Sequence, residues 1–143
     1  MKVLVVDDSR AMRSLLRRIL TRAGADEIQE AGDGREAVEL LETGNVPDVA
    51  LVDWNMPVMN GLELITTMRR RAEWRRVAII MVTTESEQSQ VVRALAAGAH
   101  EYLIKPFDEY SLIEKLEMLG FQAPASAGAG SGPALSGQKG IEP

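Results

Sequence analysis

Four apolar residues, Val49-Ala50-Leu51-Val52, run without a break into Asp53, and the turn formers Pro57 and Asn60-Gly61 follow closely. A short unbroken apolar run bounded by turn residues is the pattern of a strand buried on both faces, as in a parallel sheet. Asp53 then sits where such a strand emerges, at its carboxyl end. Open α/β sheets present their ligand sites along that edge. The same pattern recurs. Val3–Val6 ends in Asp7-Asp8, Val77–Val82 ends in Thr83-Thr84, and the short segment Glu101–Ile104 ends in Lys105-Pro106. Asp26–Ala31 is more polar and predicts a strand nearer a sheet edge.

Helical periodicity fills the intervals. Met12, Leu15, Leu16, Ile19 and Leu20 recur at helical spacing behind a capping Ser9, with Arg13, Arg17, Arg18 and Arg22 on the other face. Asp33-Gly34 opens a second helix with Ala37, Val38, Leu40 and Leu41 on its apolar side. Residues 62–71 predict a third, with Leu64, Ile65 and Met68 inward. Residues 85–97 and 110–119 predict a fourth and a fifth. Gly24, Gly44 and Gly98 are plausible stops. Strand followed by helix, five times over with short connections, predicts an α/β fold: a five-stranded parallel sheet with helices on both faces. From Gln122 the composition turns to Ala, Gly, Ser and Pro, so the folded domain is expected over 1–121 and a flexible tail or truncated linker over 122–143.

Composition narrows the function classes. A formal charge of −5 argues against a nucleic-acid binder, and the absence of cysteine removes disulfides, thiol chemistry and cysteine-ligated metals. With one histidine, His100, a zinc site is improbable, and His100 itself reads as a solvated loop residue. No apolar run reaches membrane-spanning length, and no signal peptide precedes the first strand, so a cytoplasmic protein is expected. The cluster Arg69, Arg70, Arg71, Arg75 and Arg76 reads first as a solvated helix end. Contact with an acidic partner is its sharper reading.

The polar strand ends carry the chemistry. Asp7, Asp8 and Asp53 would be crowded at one sheet edge, where like charges resist joint ionisation. A divalent cation among them and a lysine from the side, Lys105, are the two remedies. The ligands on offer are hard oxygens, which favour Mg²⁺ over zinc.

The set Asp7-Asp8, Asp53, Thr83 and Lys105-Pro106, with the wording Asp53-Trp54-Asn55-Met56-Pro57 and Asn60-Gly61-Leu62-Glu63-Leu64, resembles the receiver domain of two-component response regulators. It is similar in particular to the family's single-domain chemotaxis members. The resemblance implies a flavodoxin-like fold with strand order 2-1-3-4-5, the order the receiver type exemplifies. It implies that Asp53 accepts a phosphoryl group from a histidine kinase. Asp8 and Asp53 would hold Mg²⁺ directly, Asp7 through water, and the backbone carbonyl of Asn55 would complete the protein ligands. Lys105 and Thr83 would contact phosphoryl oxygens, and Tyr102 would move inward when Thr83 does. The Lys105-Pro106 bond would be cis. The output would be a change in protein binding on the face made by the fourth helix, the fifth strand and the fifth helix, with no direct contact to nucleic acid. Asn55 and Glu85 stand at the positions that tune the lifetime of the acyl phosphate, and their match to the chemotaxis type suggests a short one. Thr84 stands where receivers usually carry Ala or Gly, and its bulk predicts slower donor access.

The physics of the residues agrees with these roles. Carboxylate attack on phosphorus is a known covalent route, and phosphoryl transfer needs charge neutralisation and positioning more than acid–base help. No enzyme beyond self-phosphorylation and self-dephosphorylation is expected. The competing readings are a receiver cut from a longer regulator and a Mg²⁺-dependent aspartyl phosphatase. Against the phosphatase, Asn55 stands where such enzymes carry a second Asp. A flavin-binding protein of the same fold is a third reading. Against it, the acidic first loop would repel the cofactor phosphate.

Overall fold

The computed structural model describes residues 1–84 and 88–121. The expectations for Glu85 and for the tail over 122–143 lie outside the described residues. Five strands alternate with five helices: β1 Lys2–Val6, α1 Arg10–Arg22, β2 Glu27–Ala31, α2 Gly34–Glu42, β3 Val49–Asp53, α3 Gly61–Arg70, β4 Ala78–Thr83, α4 Gln88–Ala97, β5 Glu101–Ile104 and α5 Glu109–Met118. The strands form one sheet in the order β2-β1-β3-β4-β5, and every pairing is parallel. The polar segment after Asp26 lies at one edge, as its composition predicts.

Alternation along the strands divides the core in two. Leu4, Val6, Ala50, Val52, Ile79 and Met81 face one side and are covered by α2, α3 and α4 through Ala37, Leu41, Leu64, Ile65, Met68 and Ala94. Val3, Val5, Val49, Leu51, Ile80 and Val82 face the other, beneath Leu16, Ile19 and Leu20 of α1 and Leu112 and Leu116 of α5. β3 is buried along its whole length, which is why its sequence is unbroken rather than alternating.

Side chains cap four of the helices. Ser9, Asp33, Asn60 and Asp108 each accept a backbone N–H from three residues on, and Asn60 with Glu63 forms a reciprocal capping box. β4 runs one residue further than the apolar run, because Thr83 stays in the ladder opposite Ile104. A β-branched side chain suits that position. Leu15, placed on the apolar stripe of α1, is 37% exposed, and Met118 is 61% exposed.

The arginine cluster is not one surface. Arg69 turns inward and donates to the carbonyls of Gly98, Trp74, Arg75 and Val77, at 2.9 to 3.4 Å. It thereby ties the end of α3, the 3₁₀ turn Ala72–Trp74 and the α4–β5 corner into one knot. Trp74, almost fully buried, fills the turn, and the Arg71 guanidinium lies 4.1 Å from its ring centroid. His100 is an exposed loop residue, as expected, and it also joins the same knot. Its Nδ1 accepts the Ile79 N–H at 3.1 Å. Burial, helped by the Arg69 charge, holds the imidazole below its usual value and so keeps that acceptor lone pair available. Replacement of Arg69 by Lys removes the planar fork and leaves several of these carbonyls without a donor. We expect a loss of about 2 kcal/mol in urea unfolding, and a loss below about 0.5 kcal/mol for the exposed Arg70→Lys.

Candidate functional site

The crossover direction reverses between β1 and β3, since β2 lies on one side of β1 and β4 on the far side of β3. The two flanking loops part there and leave a crevice above the carboxyl ends of the strands. The register Val6↔Val52 brings the next residues, Asp7 and Asp53, out of the sheet side by side. The acidic pair that follows β1 and the acid that ends β3 therefore meet because of the strand order.

Asp7 is almost fully buried, Asp53 is 7% exposed, and Asp8 stands outside in solvent. One carboxylate oxygen from each lies within 4.8 Å of the others. Lys105 enters from the end of β5. Its Nζ donates to Asp7 Oδ2 at 3.0 Å and to Asp53 Oδ1 at 3.3 Å. The other oxygen of Asp7 accepts the Ser9 N–H at 2.8 Å, so Asp7 is fixed from both sides. Burial, then the charge of Asp7 and to a lesser degree that of Asp8, pushes the Asp53 carboxyl up to about 6 against the pull of Lys105. Burial pushes Lys105 down, but its hydrogen bonds and charge pairing with Asp7 and Asp53 outweigh it and hold the ammonium above its usual value.

Thr83 ends β4 with its side chain buried, and its carbonyl accepts the Lys105 N–H at 2.7 Å. The Lys105-Pro106 bond is cis, as the resemblance implied. Asn55 lies in the loop after Asp53 and is exposed. Tyr102 lies one strand away from the cluster, opposite Met81 in the ladder. It packs half-buried against the core, with the Lys115 ammonium 4.8 Å from its ring centroid. Asp7, Asp8, Asp53 and Lys105 are thus gathered directly. Thr83 borders them through Lys105, and Tyr102 is held at a distance on the adjoining edge.

Three neighbours escaped the sequence reading. Arg13, placed on the polar face of α1, sends Nη1 to the Asp7 carbonyl at 2.5 Å and Nε to Glu30 Oε1 at 3.1 Å. Its position one turn beyond the Ser9 cap was the available signal, since the first turn of α1 starts beside the acidic loop. Trp54, next to Asp53, is 8% exposed, and the Arg93 guanidinium of α4 lies 5.7 Å from its ring centroid. Gly61 lies so close beneath Asp53 that a Cβ would fall 2.4 Å from the Asp53 carbonyl oxygen. A side chain there would displace the acid itself.

Three carboxylates share one ammonium, so the cluster carries a negative excess. Every side-chain donor in it is a hard oxygen. This donor set fits a divalent cation of the Mg²⁺ type and offers zinc none of its preferred nitrogen or sulfur ligands.

The raised Asp53 carboxyl also has a stability consequence. Below the unfolded-state value of 3.8 both states hold the proton and nothing is lost. Between 3.8 and about 6 the unfolded chain ionises first, so stability falls as pH rises. Above that range the full penalty is present, at most about 3 kcal/mol. Asp53→Asn is therefore expected to be more stable than wild type at pH 7.5 in chelator and nearly equal to it at pH 4. Urea midpoints at the two pH values check this.

Comparison with known proteins agrees with this geometry. The family profile described as "Response regulator receiver domain" matches residues 3–117. The chain is 48% identical over 117 residues to a chemotaxis protein CheY homolog of Campylobacter jejuni, covering 82% of this chain and 90% of that protein. It is 44% identical over 119 residues to the chemotaxis protein CheY1 of Helicobacter pylori, covering 83% and 96%. Among solved structures, the chemotaxis response regulator CheY4 of Vibrio cholerae superposes with a TM-score of 0.77 at 36% identity, covering 82% of this chain and 97% of that one. A fold, an acid cluster and a sequence that agree to this degree identify the chain as a member of the response regulator receiver family, homologous to the CheY chemotaxis regulators.

Proposed function

We propose that Asp53 is the phosphoacceptor of a Mg²⁺-dependent receiver and that its phosphorylation by a histidine kinase switches the protein's binding to a downstream protein. The observation that carries this is the placement of Asp53. It is the one acid of the cluster that ends a central strand, it is mostly buried, and it is held 3.3 Å from the Lys105 ammonium.

A bond forms between an Asp53 carboxylate oxygen and phosphorus as the bond from phosphorus to the donor's imidazole nitrogen breaks, and that nitrogen leaves with the electron pair. Loss of charge repulsion matters more here than proton transfer. Asp8, Asp53 and the Asn55 carbonyl, with Asp7 through water, would hold a Mg²⁺ ion, which would supply neutralising charge. Lys105 keeps its proton throughout and can move its donors from Asp7 and Asp53 to a phosphoryl oxygen. The Thr83 hydroxyl donates to another. Hydrolysis returns the carboxylate, so the protein's own chemistry is limited to gaining and losing this group.

Movement of Thr83 toward the phosphoryl group opens space near β5 and changes which Tyr102 rotamer is favoured. The adjoining face of α4, β5 and α5 would then be read by the target. It carries exposed apolar side chains, Val92, Leu95, Tyr110 and Met118. A coupling of about 1–3 kcal/mol is typical of such switches. A cytoplasmic location follows from the kinase as donor, and no described helix is long and apolar enough to cross a membrane.

Incubation with a small phosphodonor and Mg²⁺ is expected to add one phosphoryl group to the wild type by intact mass. Asp53→Asn should gain none, nor should wild type in chelator. Mass gain on Asp53→Asn would sink the assignment. Thr84 is exposed beside Thr83. Removal of its branched side chain in Thr84→Ala is expected to speed phosphorylation several-fold without changing the final stoichiometry, and an unchanged rate would dismiss Thr84 as a barrier.

A further inference from the structure

We propose that Gly34, on a helix outside the acid cluster, is a positioning residue for the cation site, acting through Met59 on the loop that carries Asn55. This rests on the divalent-cation reading above.

The loop from Trp54 to Asn60 has to present a backbone carbonyl, that of Asn55, without a strand or helix to hold it. At its start the Trp54 N–H donates to the Val82 carbonyl at 3.2 Å, and the Gly61 N–H donates back to the Trp54 carbonyl at 3.0 Å. Its far half is less comfortable. Val58 has φ of 68°, a left-handed conformation that a β-branched residue does not take unaided, and the Met59 N–H closes a three-residue turn onto the Pro57 carbonyl at 2.7 Å. Val58 itself is 72% exposed, so its own side chain gains little packing to hold that shape.

The support comes from α2. The Gly34 N–H, in the first turn of that helix, donates to the Met59 carbonyl at 3.1 Å. The approach is too close for any side chain. A Cβ on Gly34 would fall 2.7 Å from Met59 Cγ, 2.9 Å from its Cβ and 2.8 Å from its carbonyl oxygen. Cγ could swing away, but the backbone oxygen moves only with the loop. Glycine is required here for proximity rather than for its backbone freedom. Even alanine at position 34 pushes Met59 outward, and Asn55, four residues earlier and without a lattice of its own, shifts with it. Residues that orient a metal ligand from outside commonly change affinity by about 10–100-fold.

Calorimetric titration with Mg²⁺ tests this on the intact chain. Gly34→Ala is expected to weaken binding by about tenfold, while Asp33→Ala, which deletes the cap of the same helix, stays within about twofold of wild type. Asp33 accepts the Glu36 N–H at 2.8 Å and so controls for loss of α2 stability alone. A second measurement needs no variant. Hydrogen exchange of the wild-type Gly34 amide, followed by NMR, should slow on Mg²⁺ saturation, because fixing Asn55 fixes Met59. Equal affinity of Gly34→Ala and wild type overturns the inference, as does an equal loss in Asp33→Ala or an unchanged Gly34 amide. If Gly34→Ala does not fold, the amide measurement decides. A wild-type chain that takes up no Mg²⁺ overturns the cation reading itself, and this inference with it.

Discussion

Negative charge concentrated where the sheet's connections diverge is the constraint on which the rest of this structure depends. Strand order places Asp7 and Asp53 side by side, and burial prevents water from screening them. Such a pair is tolerable only if something positive reaches it. Lys105 does so from the far edge of the sheet, across β4, which ties the position of β5 to the charge state of β1 and β3. Burial first, and the charge of Asp7 second, still raise the Asp53 carboxyl against the pull of Lys105. The site is thus held short of electrostatic comfort by the fold, and any ligand that supplies positive charge, or that lets the lysine redistribute its donors, gains binding energy from relieving it.

The backbone around the cluster is built for close approach at the expense of local ease. Gly61 lies against the Asp53 carbonyl, Gly34 lies against Met59, and Val58 occupies a left-handed conformation between them. No one of these contacts touches a carboxylate oxygen. Together they determine where the carbonyls of the β3–α3 loop can point, and they do so with glycine because a single methyl group would already displace the chain.

The sheet and the acid cluster were legible in the sequence because each rests on a local pattern. Unbroken apolar runs mark strands covered on both faces, and each run gives way to a polar residue, Asp7, Asp53 or Thr83, at the carboxyl end of its strand. The parallel order then gathers them. Arg69, His100 and Arg13 were not legible for the opposite reason. Each looks like a solvated polar residue on a helix or loop, and each is bonded to a backbone group: the carbonyl of Gly98 for Arg69, the N–H of Ile79 for His100, and for Arg13 the carbonyl of Asp7. Backbone donors and acceptors carry no residue type, so no spacing of side chains announces the partners of Arg69 and His100. Trp74 was missed similarly, since its burial depends on a 3₁₀ turn that one apolar residue among charged ones does not reveal.

The same architecture decides where a change at Asp53 can be felt. β1, β3 and most of β4 are packed on both faces, and dense cores do not deform by small amounts. β5 is different. It is four residues long, lies at the sheet edge, pairs with β4 alone and is half-exposed along most of its length. It is followed directly by Lys105, whose N–H is bonded to the Thr83 carbonyl and whose ammonium is bonded to the acids. Under the proposed phosphorylation of Asp53, a rearrangement of charge at the cluster would reach the least constrained strand through the lysine that follows it. Tyr102, three residues before Lys105, stands on that strand with Lys115 of α5 over its ring. Such a coupling would need no long pathway. The lysine that makes the acids tolerable is the next residue after the strand that bears Tyr102.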